Sequence, residues 1–262
     1  MARPATPAAG VTPADDARLA FRIFRDQDGL PQNSVQTVST DAEGRIWAGT
    51  QDGAAVYNGR VWRIVNMPSE SVSNSVRVVL QASNGDVWFG CDGAVNRLRG
   101  DEWTVFTRAD GVPEGWTRTM LELAGPDGRP EIWIGTDGGY GRFDGASWTE
   151  ASHGTPLEAV PVRCMLVDPA DGRLWIGTDG SGLWSLEAPW RGAPVRESAL
   201  PASSVFCCAR VGGATPEIAV GTGSGAFRRA AGGWEPVPLL DGRPFSVRCL
   251  LETRTARGES VL

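Results

Sequence analysis

Ile132-Trp133-Ile134-Gly135-Thr136-Asp137-Gly138-Gly139 decides how the rest of this chain is read. The run stands again at Ile46-Trp47-Ala48-Gly49-Thr50-Gln51-Asp52-Gly53, at Val87-Trp88-Phe89-Gly90-Cys91-Asp92-Gly93 and at Leu174-Trp175-Ile176-Gly177-Thr178-Asp179-Gly180. A degenerate copy, Ile218-Ala219-Val220-Gly221-Thr222-Gly223-Ser224-Gly225, has alanine where the others have tryptophan. Positions 47, 88, 133, 175 and 219 are separated by 41, 45, 42 and 44 residues. A period in the forties, carried by short apolar runs and glycines, marks a repeat fold.

Each copy sits inside a larger unit. Before it comes an apolar run, strand A: Ser34 to Ser39, Ser75 to Leu80, Trp116 to Leu121, Pro161 to Leu166, Ser204 to Cys208 and Ser246 to Leu251. Turn pairs follow, Glu43-Gly44, Asn84-Gly85, Asp127-Gly128, Asp171-Gly172 and Gly212-Gly213, and Asn-Gly and Asp-Gly readily take the positive φ that tight hairpins need. The tryptophan run is strand B. Strand C is short (Ala54 to Tyr57, Ala94 to Leu98, Tyr140 to Phe143, Gly182 to Leu186, Ala226 to Arg229), and strand D carries a second tryptophan, Trp62, Trp103, Trp148 or Trp234. The fourth unit departs there: Trp184 and Trp190 flank a proline-broken stretch. No segment holds an apolar period of 3.6 long enough for a helix.

Four-stranded antiparallel units at this period are blades of a β-propeller, and stacking covers the apolar faces that one blade exposes. The expected fold is all-β: five complete blades plus a partial sixth, an incomplete ring. Tryptophans of strand B are expected between blades. Residues 1–18 read as a flexible alanine- and proline-rich leader, and residues 19–262 as the blades, a fragment of a longer propeller. Residues 21–24 alternate apolar with polar and read as an orphan strand D ahead of the first strand A.

Composition narrows the function. A net charge of −6, from 25 lysines and arginines against 31 acids, gives no reason to expect nucleic acid or an anionic membrane as partner. The leader lacks the apolar core of a signal peptide, and no stretch approaches the roughly 18 apolar residues of a membrane span. Cys91, Cys164, Cys207, Cys208 and Cys249 contain no CxxC. Cys164, Cys207 and Cys249 occupy equivalent places in strand A, and the apolar setting favours buried thiols over disulfide or metal roles.

Leu30-Pro31-Gln32-Asn33-Ser34-Val35, followed by a strand, a turn and Ile46-Trp47-Ala48-Gly49-Thr50, resembles the two-component regulator propeller repeat, and later copies extend the resemblance over residues 21–262. The resemblance implies the sensor propeller of a hybrid histidine kinase or diguanylate cyclase, extracytoplasmic, recognising a small ligand, often a carbohydrate breakdown product; the arginines described below would make that carbohydrate an acidic one. Its partners would be further domains of the parent signalling protein, and no cofactor is implied.

Candidate site residues come from one register. The second residue of strand A is Gln36, Arg77, Arg118, Arg163, Phe206 and Arg248 in successive units. Arginines Arg77, Arg118, Arg163 and Arg248 at one repeat-equivalent position would ring the axis at similar height. They would either form a cationic collar that binds a carboxylate, phosphate or acidic sugar bidentately, or bridge to the Asp-Gly turn of an adjacent blade, such as Asp92 or Asp137. Trp116, beside Arg118 and outside the regular tryptophan registers, is the candidate for stacking on a ligand, with a blade contact as the alternative. The recurring Asp41, Asp52, Asp92, Asp137 and Asp179 are expected to cap turns through their own backbone. His153 is the one histidine of the chain, and only Tyr57 and Tyr140 are tyrosines. A streptogramin-lyase-like enzyme needs a base and often a metal, so the expected role is a non-enzymatic sensor without a metal site. A propeller lyase or hydrolase and a pure interaction scaffold are the alternatives.

Overall fold

A computed structural model describes residues 22–68, 71–212, 217–230, 233–238, 245–254 and 260–261; the leader at 1–18 lies outside the described residues. Five four-stranded antiparallel sheets follow one another along the chain. Blade I is β1 (Val35–Thr40), β2 (Ile46–Thr50), β3 (Gly53–Tyr57) and β4 (Trp62–Val65), and blade II is β5 (Val78–Gln81), β6 (Val87–Gly90), β7 (Ala94–Arg99) and β8 (Glu102–Thr107). Blade III is β9 (Thr117–Ala124), β10 (Pro130–Thr136), β11 (Gly139–Phe143) and β12 (Trp148–Thr149), and blade IV is β13 (Val162–Val167), β14 (Leu174–Thr178), β15 (Leu183–Leu186) and β16 (Val195–Arg196). Blade V is β17 (Val205–Val211), β18 (Glu217–Thr222), β19 (Gly225–Ala230) and β20 (Gly233–Pro236). Beyond it, β21 (Thr253–Arg254) pairs with β22 (Ser260–Val261). The only helices among the described residues are two single 3-10 turns, Asp26–Asp28 and Arg108–Asp110.

The hairpin turns work as their chemistry requires. Gly85 and Gly128 adopt φ of 87° and 79°, beside Asn84 and Asp127, whose side-chain oxygens accept the backbone N–H groups of Asp86 and Arg129 at 3.0 Å. Asp41 does the same for Arg45 at 2.8 Å and also accepts the Trp47 indole N–H at 2.8 Å. Glu131 and Asp168 accept the indoles of Trp133 and Trp175 at 3.1 and 3.3 Å, so three buried tryptophans keep a polar partner.

The tryptophans of strand B are wedged between blades. Trp47 packs with Val79 and Phe89 of blade II, Trp88 with Met120, Ile134 and Trp148 of blade III, Trp133 with Met165 and Ile176 of blade IV, and Trp175 with Val205, Val220 and Trp234 of blade V. Rings of this size bury about 150–250 Å² each, which makes them the main apolar filling of every junction. The glycine two residues later is dictated by the same packing. A Cβ on Gly49, Gly90, Gly135, Gly177 or Gly221 would lie between 2.5 and 2.8 Å from strand A of its own blade or the first strand A residue of the next (Val76, Thr117, Val162, Val205, Val247). Each glycine is where two blades approach backbone to side chain, and only hydrogen fits.

Blade I presents the counterpart of these faces uncovered. Val38 is 67% exposed, whereas its equivalent Val79 in blade II is 5% exposed; Val35, Ile46 and Ile64 are exposed beside it. After blade V, Val247 does seat on Gly221, and its N–H bonds the Thr222 carbonyl at 2.9 Å. Val76 and Thr117 make the equivalent bonds to Thr50 and Cys91 at 2.9 and 3.1 Å. The partial sixth unit therefore begins in register, although residues 246–251 pair with no strand in the described structure.

Two expectations are corrected. Residues 22–24 are not a strand D; Phe24 packs its ring on Tyr57 and Trp62 of blade I at 5.1 and 5.6 Å, leaving the chain to turn through the 3-10 helix and Leu30. The proline-broken stretch of blade IV is not a loss of the strand D aromatic. Trp190 meets Trp133 edge-on at 6.5 Å and donates to the Gly172 carbonyl at 3.1 Å. It occupies the role that Trp148 and Trp234 fill against Trp88 and Trp175.

Candidate functional site

Strand A starts and B–C turns meet at one end of the blades, and there the repeated arginines lie. Buried threonines build the turns. Thr50, Thr136 and Thr222 donate to the carbonyls of Gly53, Gly139 and Gly225 at 2.9, 3.3 and 2.8 Å, and accept the N–H of Asp52, Gly138 and Ser224 at 3.1 Å in each case. In blade II the threonine is replaced by buried Cys91, whose sulfur accepts from Asn96 Nδ2 at 3.4 Å. The aspartates at Asp52, Asp137 and Asp179 are thereby freed from capping, which corrects the expectation made for them.

Asp52 accepts from Asn74 Nδ2 at 3.4 Å, whereas Asp137 and Asp179 hold arginines. Arg118 grips Asp137 bidentately, Nε to Oδ1 at 2.8 Å and a terminal nitrogen to Oδ2 at 2.7 Å. Arg163 donates to Asp179 Oδ2 at 2.6 Å and lies 3.8 Å from Asp137 of the preceding blade. Ser204 of blade V donates to Asp179 Oδ1 at 2.9 Å and accepts the Gly180 N–H at 3.1 Å. Charge and hydrogen bonds thus run continuously across three blades. Arg118 and Arg163 are hydrogen-bonded to the turn of their own blade and not, as the bridging alternative has it, to that of an adjacent one; the 3.8 Å approach of Arg163 to Asp137 is the contact that crosses a junction. The Arg163 hydrogen bond, with Ser204 assisting, holds the Asp179 carboxyl below its ordinary range.

Arg77 and Arg248 are held differently. Arg77 lies over the Trp116 ring of blade III at 3.9 Å, and Arg248 over the Phe206 ring of blade V at 3.9 Å. A guanidinium face on an aromatic ring gains a cation–π contact of about 0.5–2 kcal/mol and leaves its edge donors for other acceptors. Arg77 reaches Gln36 at 3.5 Å, and its buried Nε has no hydrogen-bond partner among the described residues. Burial lowers its affinity for the proton, followed by the positive charges of Arg118 and Arg163, against the opposing pull of Asp137 and Asp92. All four arginines and Trp116 therefore share one rim, and among the described residues Arg77 and Arg248 have no carboxylate hydrogen bond there, unlike Arg118 and Arg163.

Neither Phe206 nor Ser204 was singled out as a contributor by sequence. Their signal lies in the register itself: Phe206 is the strand A equivalent of Arg163, and Ser204 opens the run two residues earlier. His153 is on the link between blades III and IV, 76% exposed, with Nδ1 2.8 Å from Glu158. A groove of about 350 Å³ at the opposite end, by Glu43, Gln81, Ser83 and Glu122, already spends its polar groups internally: Gln81 donates to Glu43 at 3.2 Å and Ser83 N–H to Glu122 at 2.7 Å. Among the described residues no three acids, histidines or cysteines are grouped to hold a metal ion, and no helix is long and apolar enough to cross a membrane.

Comparison with known proteins agrees with this architecture. The two component regulator propeller family model matches residues 29–52, the segment from Gly29 through the first tryptophan run. Histidine kinase P4 of Formosa agariphila is 36% identical over 63 residues, 24% of this chain and 5% of that protein. The extracellular domain of a hybrid two component system from B. thetaiotaomicron superposes with a TM-score of 0.66 at 18% identity, over 94% of this chain and 33% of that one. Virginiamycin B lyase of Staphylococcus aureus, in a catalytically inactive form with quinupristin, superposes with a TM-score of 0.61 at 16% identity, over 81% of this chain and 73% of its own. The two structural likenesses speak to fold, and this chain spans a small part of the kinase and a third of the extracellular domain. The two component regulator propeller model thus falls on the first of the repeated units, and the five sheets share the fold of propeller blades.

Proposed function

We propose that this chain is the extracytoplasmic sensing module of a two-component signalling protein, and that it binds a small ligand bearing an anionic group on the arginine rim. The repeat type, shared with a histidine kinase and with the fold of an extracellular two-component domain, supports the signalling role. Arg77 carries the ligand assignment: its guanidinium is positioned on Trp116, bonded to no carboxylate among the described residues, and flanked by two arginines that raise the local positive field. A carboxylate or phosphate there would accept from Arg77 while a sugar ring lies against the exposed part of Trp116. Arg118 and Arg163 act as positioned supports whose carboxylates are already engaged, and Arg248 on Phe206 extends the positive edge toward the sixth unit. Further domains of the parent protein would read the ligand state through the blades.

Thermal unfolding of the chain with a panel of acidic and neutral oligosaccharides tests this. A ligand at 100 times its Kd stabilises by about 2.7 kcal/mol. Acidic members should raise the melting temperature of the wild type and fail to do so for Arg77→Ala and Trp116→Ala. If no member of either class shifts it, the sensing assignment at this rim is wrong and the interaction-scaffold alternative stands.

A further inference from the structure

The junction between blades IV and V brings two cysteines together. Cys164 Sγ lies 2.7 Å from Cys208 Sγ. That is well inside the roughly 3.5–4.0 Å at which non-bonded heavy atoms pack best, so the two sulfurs face each other directly. The register explains why this happens only here. In strand A the third position faces the next blade and the fourth faces the previous one: Thr37, Val78, Thr119, Cys164 and Cys207 pair with Gly49, Gly90, Gly135, Gly177 and Gly221 of their own blades. Val79, Met120 and Met165 at the fourth position pack under the preceding blade's tryptophan. Across successive junctions the facing residues are thus Thr37 and Val79, Val78 and Met120, Thr119 and Met165, then Cys164 and Cys208. Cys164, Cys207 and Cys249 are equivalent in sequence but all point the same way round the array, so equivalence does not make them partners.

Cys164 is fixed in this position. Its sulfur rests against Gly177, where a Cβ would lie 2.5 Å away, and it belongs to the packed cluster with Trp175, Leu183 and Val205. Cys208 is half-buried at the edge of the same cluster, so one thiol of the pair is reachable from solvent and the other is enclosed. Cys208, the more exposed of the two, is therefore the first to meet an outside oxidant, while burial pushes the Cys164 thiol up.

We propose that Cys164 and Cys208 are a thiol–disulfide site that staples blade IV to blade V when the protein meets a disulfide-bearing oxidant. Cys208 thiolate attacks one sulfur of the oxidant, forming a mixed disulfide and releasing one thiolate. Cys164, having lost its proton, attacks Cys208 Sγ; the Cys164–Cys208 bond forms as the mixed disulfide breaks and the second thiolate leaves. Two protons and two electrons leave the protein, and the oxidant's disulfide becomes two thiols. The cross-link closes a span of 44 residues beside Arg163, tying the innermost strands of two blades where the Arg163–Asp179–Ser204 bonds already join them.

The test is to incubate the chain with oxidised glutathione, block remaining thiols with an alkylating agent, and compare intact mass and peptide maps with a reduced control. The expected product is about 2 Da lighter before alkylation, carries two fewer alkyl groups, yields one peptide pair joining Cys164 to Cys208, and unfolds several degrees higher than the reduced protein. Cys164→Ser and Cys208→Ser should each abolish the pair, while Cys91→Ser, Cys207→Ser and Cys249→Ser should retain it. The wild-type map needs no variant to fold and decides by itself. Full alkylation of Cys164 and Cys208 after oxidation, glutathione left on Cys208, or a link mapping to Cys207 and Cys249 would each overturn the proposal.

Discussion

Replacing Gly135 by alanine tests the inter-blade packing with a single methyl group. The position is strand backbone, where alanine is itself unstrained, so the change should gain about 0.4–1 kcal/mol by restricting the unfolded chain. Against this, the added carbon would sit 2.5 Å from Val162 Cγ1, 2.7 Å from Thr119 Cγ2 and 3.0 Å from Val162 Cβ. Val162 is fully buried and β-branched, with one preferred rotamer and no room to turn. Overpacking of this kind costs about 1–3 kcal/mol, so a net loss of roughly 1–2 kcal/mol is expected from the two terms together. At about 2–4 °C per kcal/mol for a chain near this size, the melting temperature falls by roughly 2–8 °C. Gly192→Ala, with nothing within 4 Å of its added Cβ, is the matched control and should leave the midpoint unchanged or slightly raised. Trimming Val162 to alanine opens the space, so Gly135→Ala should cost at least about 1 kcal/mol less in that background, a coupling that contacting residues show and distant ones do not. A Gly135→Ala protein as stable as wild type, or a penalty indifferent to Val162→Ala, would refute the account of why glycine recurs after the tryptophan.

Trp190→Ala should destabilise by about 2–4 kcal/mol, somewhat under the roughly 3–5 kcal/mol of fully buried aromatic truncations because the ring is half-buried, and somewhat less than Trp148→Ala; a shift of a few tenths in thermal unfolding would return Trp190 to the status of a loop residue. Arg118 and Asp137 are 23% and 29% exposed at their side chains, so a double-mutant cycle with Arg118→Ala and Asp137→Ala should give a coupling of about 1–2 kcal/mol, and Arg118→Lys should lose most of it because lysine cannot span both oxygens. Asp179 supplies the pH dependence. Its carboxyl is held below the ordinary 3.8 by Arg163, so the unfolded state binds the proton more readily, stability is present above about pH 4, and it is lost as pH falls through the folded value. The acid limb of a stability–pH curve should therefore be shallower for Asp179→Asn than for wild type, and identical slopes would remove the Arg163 assignment.

The fold was legible because its determinants are local and repeated. Tryptophan, glycine and threonine at fixed spacing, with Asn-Gly and Asp-Gly turns between apolar runs, specify a hairpin unit whose neighbours must cover it. What escaped was decided between units. Trp190 fills the strand D role from a proline-broken link, and a strand pattern gives no hint that a loop residue reaches the preceding blade. Phe24 looked like alternating strand because two apolar residues flank an arginine, yet its ring has Tyr57 and Trp62 to lie against. The arginine register was visible, but partners were not: Arg118 and Asp137 are 19 residues apart, on either side of a hairpin, and Arg77 and Trp116 belong to different blades. The two cysteines that meet are offset by one place in register, so aligning repeats hides them.

Blade V shows what the rim aspartates are for. It has Gly223 where the other blades have Gln51-Asp52, Asp92, Asp137 or Asp179, and its turn is nonetheless intact, with Thr222 donating to Gly225 at 2.8 Å and accepting from Ser224 at 3.1 Å. A turn that forms without the acid does not need it, so the recurrence of aspartate elsewhere has another cause. That cause is visible where the strand A residue is arginine and the acid lies beside it, as in Arg118 with Asp137 and Arg163 with Asp179. The same blade that lacks the acid carries Phe206 in place of the arginine, and Phe206 then supports the arginine of the following unit through its face. Threonine makes the turn, which frees the next residues to vary from blade to blade. The second place in strand A varies with them, and chemistry at the rim can change without disturbing the tryptophan-and-glycine joints beneath it.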